Sequence, residues 1–389
     1  MKFFHLSDLH IGKQLNGYSL RENQEAVLNQ IVNYAVTEKP DVILICGDIY
    51  DKTAPSAEAY TLFGGFLNAL SMIRPQPSVL IIAGNHDSPE RLSYAGPFLE
   101  KHSIHLSVMP PQNQDEYLKK VVLSDQYGPV NFYLMPFLKP GYVRNLFPDS
   151  QPEGYENAIK EVLARESIDT RERNVLLSHQ FYTGGSTDPE TCESEQAVII
   201  AGGLDRVNVS VLPPFDYVAL GHLHGPQKVS TDWIRYCGTP FKYSISEEHH
   251  RKGITVIEMG AKGELPALEI LPLGGIQDVR RERGTLKEVL SRADDKNRHD
   301  FVSVTLTDED EPYRIREQLK EVYDYLLELK VDNVRTREKM MEEEERVSVL
   351  NPLEAFQQFY KAVSGEEMTK EAYEAMEKIV QEAKEEEGL

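Results

Sequence analysis

Cysteine is scarce in these 389 residues. The three cysteines, Cys46, Cys192 and Cys237, are odd in number and far apart. They make neither a disulfide framework nor a Cys-X-X-Cys zinc pattern, so a reducing cytoplasm is expected. Long apolar runs are also missing. None approaches the roughly 18 residues of a membrane span, so no membrane partner is expected. The chain opens directly into Lys2-Phe3-Phe4-His5-Leu6, without an apolar leader and small-residue cleavage site, which argues against secretion. It has no Gly-X-X-X-X-Gly-Lys-Ser/Thr loop, which excludes an ATP site of that kind. Internal repeats and long low-complexity tracts are absent too. Positive charge is in deficit: the net charge is −21, and 15 acidic against 6 basic residues from Glu338 onward account for −9 of it. This balance does not favour a nucleic-acid partner, although metal ions or a local basic stripe can hold phosphate on an acidic molecule. A charged fraction of 27% and a hydrophobic fraction of 40% fit a soluble globular chain of two to three domains.

What is present alternates. Short apolar, often β-branched runs predict strands over residues 3–7, 42–46, 79–83, 131–136, 175–178, 217–220, 234–237 and 254–258. Helices are predicted over 21–37, from Pro55 through Tyr60, Phe63, Leu67 and Leu70, and over 90–102. Strand–helix–strand spacing implies parallel strands with right-handed crossovers. The strands after Asp216 have shorter connections and read as more antiparallel. The expected fold class is α/β, a sandwich of two mixed sheets flanked by helices. After Leu273-Gly274-Gly275 the composition changes to a small α+β module with a strand over 301–306 and a helix over 313–329. The acidic run Glu342-Glu343-Glu344-Glu345 follows. Two amphipathic helices then close the chain, the first capped by Asn351 with Pro352 at its first position and stopped by Gly365, the second capped by Thr369. Expected domains are therefore 1–275, 276–340 and 341–389.

The informative residues stand at strand ends: Asp8-X-His10, Gly47-Asp48-X-X-Asp51, Gly84-Asn85-His86-Asp87, His179 and Gly221-His222-X-His224. Ligands of open α/β sheets collect at the carboxyl ends of strands. A donor set of Asp, Asn and His without Cys suits manganese, iron or zinc better than a thiolate-selected metal. Two dications sharing a carboxylate would lower the pKa of a water and neutralise phosphoryl oxygens, which is what hydrolysis of a phosphate ester requires. Taken singly, each motif has a bland reading, since Asn, Asp and Gly favour turns. Five coincident clusters in order are harder to explain that way.

These motifs resemble, in order, the signature of the calcineurin-like metallophosphoesterases. Asp8-Leu9-His10-Ile11-Gly12-Lys13, Gly238-Thr239-Pro240 and Tyr243-Ser244-Ile245-Ser246-Glu247 further resemble the bacterial SbcD family of nuclease subunits. The resemblance implies that Asp8, His10, Asp48 and His224 hold one metal and that Asp48 bridges. Asn85, His179 and His222 would complete the second metal. His86 would assist the leaving group and Asp87 would orient it, while Asp51 has an open part in positioning DNA. Mn2+ is the favoured ion, with Mg2+, Fe2+ or Zn2+ as alternatives. The implied activity is exonuclease on duplex DNA ends and endonuclease on single strands or hairpins, within a repair and recombination complex acting at the nucleoid. The implied partner is an SbcC-type coiled-coil ATPase bound by residues 351–384, in a two-plus-two assembly built on a homodimer. The module over 276–340 would cap the DNA beside the site. A metallophosphatase or cyclic-nucleotide phosphodiesterase with the same site, and a non-catalytic scaffold, are the alternative readings.

Other residues are weighed against plainer roles. Lys13 and Arg21 flank the first motif and read as phosphate contacts or as exposed cations. Arg280, Arg281 and Arg283 read as a basic patch for DNA or as a solvated face. His249 and His250 read as loop residues, His102 and His105 as surface residues, and His5 and Cys46 as core. Gly64-Gly65 interrupts a helix at about 1 kcal/mol per glycine and reads as close helix approach in a dimer or as a bend.

Overall fold

In the computed structural model, the structure describes residues 1–94, 96–148, 152–184, 188–196, 205–310, 312–337 and 352–387. The chain divides into two compact units. The first comprises Met1–Arg281, Asp295–Ser303 and Tyr323–Leu327, and the second Glu282–Asp294, Val304–Val322 and Glu328–Leu389. The first unit thus continues past residue 275, because Val279 and Phe301 are buried in its core.

The first unit is built on two six-stranded mixed sheets. One sheet runs in the order Ala267–Pro272, Gly253–Glu258, Lys2–Leu6, Val42–Cys46, Ser78–Ile82 and Ile104–Ser107. Its last four strands are parallel neighbours and its first two join antiparallel. The other runs Gln227–Val229, Thr231–Tyr236, Tyr217–Gly221, Arg173–His179, Gly128–Met135 and Lys119–Asp125. Tyr217–Gly221 is parallel to both of its neighbours, which corrects the antiparallel expectation for this strand. The reason is the short strand Gln227–Val229, which carries the chain back down. Thr231–Tyr236 can then rise in the same direction as Tyr217–Gly221.

Strand periodicity decides where each side chain goes. Phe3, Val42, Leu44, Leu80 and Ile82 from one sheet meet Val130, Phe132, Leu134, Val175 and Leu177 from the other in a core between the sheets. Their alternating neighbours Phe4, Ile43, Ile45, Val79 and Ile81 face outward, under helices Arg21–Glu38 and Ala57–Ser71. Tyr133, Met135 and Leu176 face outward on the second sheet and meet Ile159, Val162 and Leu163 of helix Gly154–Ala164. Both faces are covered, so the strands carry continuous apolar runs rather than alternation.

Several elements differ from the sequence reading. The helix expected from Pro55 begins two residues later, at Ala57, with Ser56 as its N-cap accepting from the Ala59 N–H at 3.2 Å. It continues unbroken through Gly64-Gly65, and a Cβ at either glycine would meet nothing within 4 Å in this chain. The 90–102 helix is two short ones, Pro89–Ser93 and Gly96–Glu100. The helix expected over 313–329 covers only Ile315–Val322, and Tyr325–Val331 is a strand of a three-stranded sheet with Val279–Gly284 and Phe301–Leu306. The run Tyr325-Leu326-Leu327 satisfies either period, and packing of Tyr325 and Leu327 on the first core selects the strand.

The second unit also holds helix Leu286–Arg292, closed by a capping box between Thr285 and Glu288, and the terminal helices Pro352–Ser364 and Lys370–Glu387. Gly365 ends the first of these at φ 75°. Thr369 accepts from the Ala372 N–H at 3.3 Å at the start of the second. The acidic run 342–345 and the expected Asn351 cap lie outside the described residues. Among the described residues, no helix is long and apolar enough to cross a membrane.

Candidate metal centre

All five donor groups sit at the carboxyl ends of central strands of the first unit, where the two sheets bring their ends together. Asp8 and His10 follow Lys2–Leu6, Asp48 follows Val42–Cys46, and Asn85 and His86 follow Ser78–Ile82. His179 ends Arg173–His179, and His222 and His224 follow Tyr217–Gly221. Among the described residues, three groups can hold a metal ion: Asp8 with His10 and His224, His10 with Asp48 and His86, and Asp8 with Asp48 and His179. His10 Nε2 and His224 Nε2 face each other at 3.2 Å. Asn85 Oδ1 lies 2.9 Å from His179 Nε2 and 3.1 Å from His222 Nδ1. Between these sets is Asp48 Oδ2, 3.4 Å from His179, 3.7 Å from His10 and 4.0 Å from His86.

The backbone bends sharply to achieve this. Asp8 (φ 52°), His10 (42°), Asp48 (51°) and His222 (108°) all occupy the left-handed region that non-glycine residues avoid. Strain of this kind, of order 1–3 kcal/mol per residue, persists where the surroundings over-determine it, and it clusters at functional sites. Here Asp8 N–H donates to the Gly47 carbonyl and His10 N–H to the Asp48 carbonyl, each at 3.0 Å. The His222 N–H donates to both oxygens of Asp8, at 3.0 and 3.1 Å. Glycine is required beside these turns. A Cβ at Gly84 would strike the Asp48 carboxylate, and one at Gly221 would strike the Cys46 carbonyl.

The calcineurin-like phosphoesterase family matches residues 1–226, and the SbcD_C family, described as a type 5 capsule protein repressor C-terminal domain, matches residues 276–364. A relative from Staphylococcus epidermidis, named as a subunit of the nuclease SbcCD, is 32% identical over 332 residues, covering 85% of each chain. One of the same name from Staphylococcus saprophyticus is 29% identical over 383 residues, covering 98% of each. The chain belongs to the calcineurin-like phosphoesterases, in their SbcD branch. Among solved structures, a dimetal phosphatase from Danio rerio is similar at 13% identity and a TM-score of 0.39, covering 69% of this chain and 95% of that one.

The electrostatics of this phosphoesterase site are those of a cluster short of positive charge. Burial, aided by Asp48, pushes the Asp8 carboxyl up. Asp48 is held well below its usual range: burial opposes this, but His179, His86 and His10 prevail. Burial pulls on His179 too, yet Asp48 and then Asp8 hold its ring up at about 9. His10 is driven well below its ordinary value, and His222 to about 3, chiefly by burial. Two buried carboxylates beside His10 and His222, whose rings burial keeps neutral, make a set that divalent cations fit. Among the described residues, the buried His10 Nδ1 also lacks a hydrogen-bond partner, with Asp51 Oδ1 at 3.8 Å.

Carbonyls set two of the rings. His179 Nδ1 faces the Cys46 carbonyl at 2.8 Å and His86 Nδ1 the Asp51 carbonyl at 2.9 Å. A carbonyl only accepts, so both Nδ1 atoms carry hydrogen and both Nε2 atoms point into the site. The expectation that Asp87 orients His86 is corrected by this pairing. Asp87 instead accepts from the N–H groups of Gly84 (2.9 Å), Ile49 and Tyr50 (3.1 Å each), tying two strand-end loops together. Burial and the Asp48 charge push it up to about 6. It is Asp51, through its backbone, that positions His86.

The proposed DNA contacts are engaged by acids. Lys13 Nζ is 2.8 Å from Asp51, Arg21 is 3.5 Å from Glu58, Arg280 is 3.1 Å from Asp300 and Arg281 is 2.6 Å from Glu248. Arg283 pairs with Asp332. Arg21 still lines a pocket of about 380 Å3 with Gly12, Asp51, Lys52 and Ser56. His5 is core, as expected, bonded to the Tyr217 hydroxyl at 2.9 Å and the Leu220 carbonyl at 3.1 Å. His249 and His102 are exposed, whereas His105 is half-buried on strand Ile104–Ser107 and His250 contacts Lys252 at 3.3 Å.

The sequence reading missed an outer layer. Gln24 donates to the His10 carbonyl at 2.8 Å, and the Tyr243 hydroxyl donates to the Leu9 carbonyl. Ser194, Glu195, Glu247 and Lys252 surround His224. Tyr243 and Glu247 lay in a motif that carried only a resemblance. Ser194 and Glu195 sit on the four-residue helix Glu193–Gln196, whose polar sequence gives no periodic signal.

Proposed function

We propose that this chain is a two-metal-dependent DNA nuclease, the nuclease subunit of an SbcCD-type complex that acts in DNA repair and recombination. Asp8, His10, Asp48 and His224 would hold one ion, and Asp48, Asn85, His179 and His222 the other, with Mn2+ as the favoured occupant. The observation that carries the reading is the place of Asp48 Oδ2, which faces His10 of one set and His179 of the other. When bound, such ions supply Lewis-acid neutralisation of phosphoryl oxygens and an acidified water.

The chain's own side chains do the rest. The Asp51 carbonyl keeps a hydrogen on His86 Nδ1, so the exchangeable proton resides on Nε2. That atom lies 4.0 Å from Asp48 Oδ2, at the edge of the site, where it serves as general acid to a departing alkoxide. The deep placement of Asp8, Asp48 and His179 excludes bulk water from the charge-bearing oxygens.

The terminal helices are the proposed seat of the coiled-coil ATPase. They expose Phe359, Val363 and Ile379, as a helix-in-groove contact requires. The Gly64-Gly65 face of Ala57–Ser71 is the proposed homodimer contact, since its open space suits close approach of a second helix. Hairpin and linear duplex DNA, assayed with Mn2+ beside a small phosphodiester, tests the function. Cleavage of DNA that requires Mn2+ and is lost in Asp48→Ala is expected. Turnover of the small ester with inert DNA would favour a metallophosphatase or cyclic-nucleotide phosphodiesterase instead.

A further inference from the structure

We propose that Ser194 and Glu247 form a relay that fixes the proton of His224 on Nδ1 and keeps its Nε2 open for a cation held with Asp8 and His10. The inference rests on the dimetal reading above and concerns residues to which neither the motifs nor the relatives give a role.

The argument is one of hydrogen counting. Glu247 is fully buried, and Lys252 Nζ meets its Oε2 at 2.6 Å. Lys252 is itself fixed by the Thr239 hydroxyl at 2.6 Å and the His224 carbonyl at 2.9 Å. Glu247 is therefore an ionised carboxylate and only accepts. Its Oε1 receives the Ser194 hydroxyl at 2.9 Å, the Ser244 hydroxyl at 3.1 Å and the Tyr243 N–H at 3.2 Å. Ser194 has one hydrogen, and Glu247 takes it. Ser194 Oγ is also 2.8 Å from His224 Nδ1, so in that contact the oxygen accepts and the imidazole donates. Glu247 Oε1 lies 3.4 Å from the same nitrogen and likewise can only accept. Both partners of Nδ1 among the described residues therefore demand hydrogen there, and Nε2 keeps its lone pair, pointed at His10 Nε2 at 3.2 Å.

Thr239, Ser244, Glu247 and Lys252 thus hold the His224 ring, while Tyr243 also bonds the Leu9 carbonyl through its hydroxyl. The second set, Asn85, His179 and His222, makes no hydrogen bond or ion pair with Ser194 or Glu247 among the described residues. Loss of the relay should therefore weaken one metal position and spare the other.

Calorimetric titration of the full-length metal-free chain with Mn2+ tests this without any activity assay. The wild type should take up two ions. Ser194→Ala and Glu247→Gln should keep one site unchanged and weaken the other by about 10–100-fold, the usual cost of losing an outer partner of a ligating histidine. Ser194→Thr, which retains the hydroxyl, should restore wild-type binding. If Glu247→Gln fails to fold because Lys252 loses its charged partner, Ser194→Ala carries the test alone. Two wild-type affinities in Ser194→Ala overturn the relay while leaving the dimetal reading intact. A wild-type chain that takes up fewer than two ions overturns both.

Discussion

His86 separates binding from chemistry. Its ring is tied to the Asp51 carbonyl, and it stands beside the donor cluster. Replacing His86 with Ala should leave Mn2+ uptake unchanged and lower kcat by about 10²–10⁴-fold, the range for a lost general acid. Normal turnover in that variant would remove the assignment. His179 gives a second prediction, for the metal-free chain. Its ring is held up at about 9 because Asp48 and Asp8 outweigh burial. The folded chain therefore keeps a proton that the unfolded chain releases near 6.5. That stabilisation is complete below about pH 6.5 and is lost as pH rises through about 9. The melting temperature of the chain in EDTA should accordingly fall between these values, and His179→Gln should flatten the slope. A melting temperature that rises across the window contradicts the account. At this scale the donors were legible because each ends an apolar run. The role of Asp87 was misread because its three N–H partners come from Gly84 and from the Ile49-Tyr50 loop, a contact that no spacing in the sequence encodes.

Strand ends form the site only because the sheets sit close, and Gly221 marks how close. A methyl group there would collide with the Cys46 carbonyl of the facing sheet and crowd His179. Gly221→Ala should destabilise the fold by about 1–3 kcal/mol, as overpacking does, and should also reduce Mn2+ uptake. Urea denaturation and metal analysis check the two effects together, and a variant with wild-type stability would show that the approach is looser than described. The central parallel strands could be read from Val42-Ile43-Leu44-Ile45-Cys46 and its counterparts, whose continuous apolar character reflects burial on both faces. Strands Lys119–Asp125 and Ala267–Pro272 could not, because they lie at sheet edges and alternate with exposed residues such as Val122 and Ile270. Helix Tyr313 to Leu329 was overextended for the opposite reason: Tyr325 and Leu327 are apolar enough for either period, and tertiary packing chose.

Across the whole molecule, the donor cluster belongs to the first compact unit and the terminal helices to the second. A chain ending at residue 351 should keep both Mn2+ ions and hydrolyse a small phosphodiester at the wild-type rate, yet fail to bind the ATPase. Co-purification with that partner and a rate assay measure the two halves of this prediction. Loss of Mn2+ uptake on truncation would mean that the helices support the site itself. The two-sheet plan was readable in the alternation of strands and helices and in the shorter connections after Asp216. The division between units was not, since Val279 and Phe301 follow the compositional change at 275 but pack in the first core. The central claim is that Asp48 is shared by two cations. Anomalous diffraction from a crystal soaked in Mn2+ tests it most directly. The expected map has two Mn2+ peaks, with Asp48 touching both, His10 and His224 on one, and His179 and His222 on the other. A single peak, or two peaks that Asp48 does not join, would contradict it.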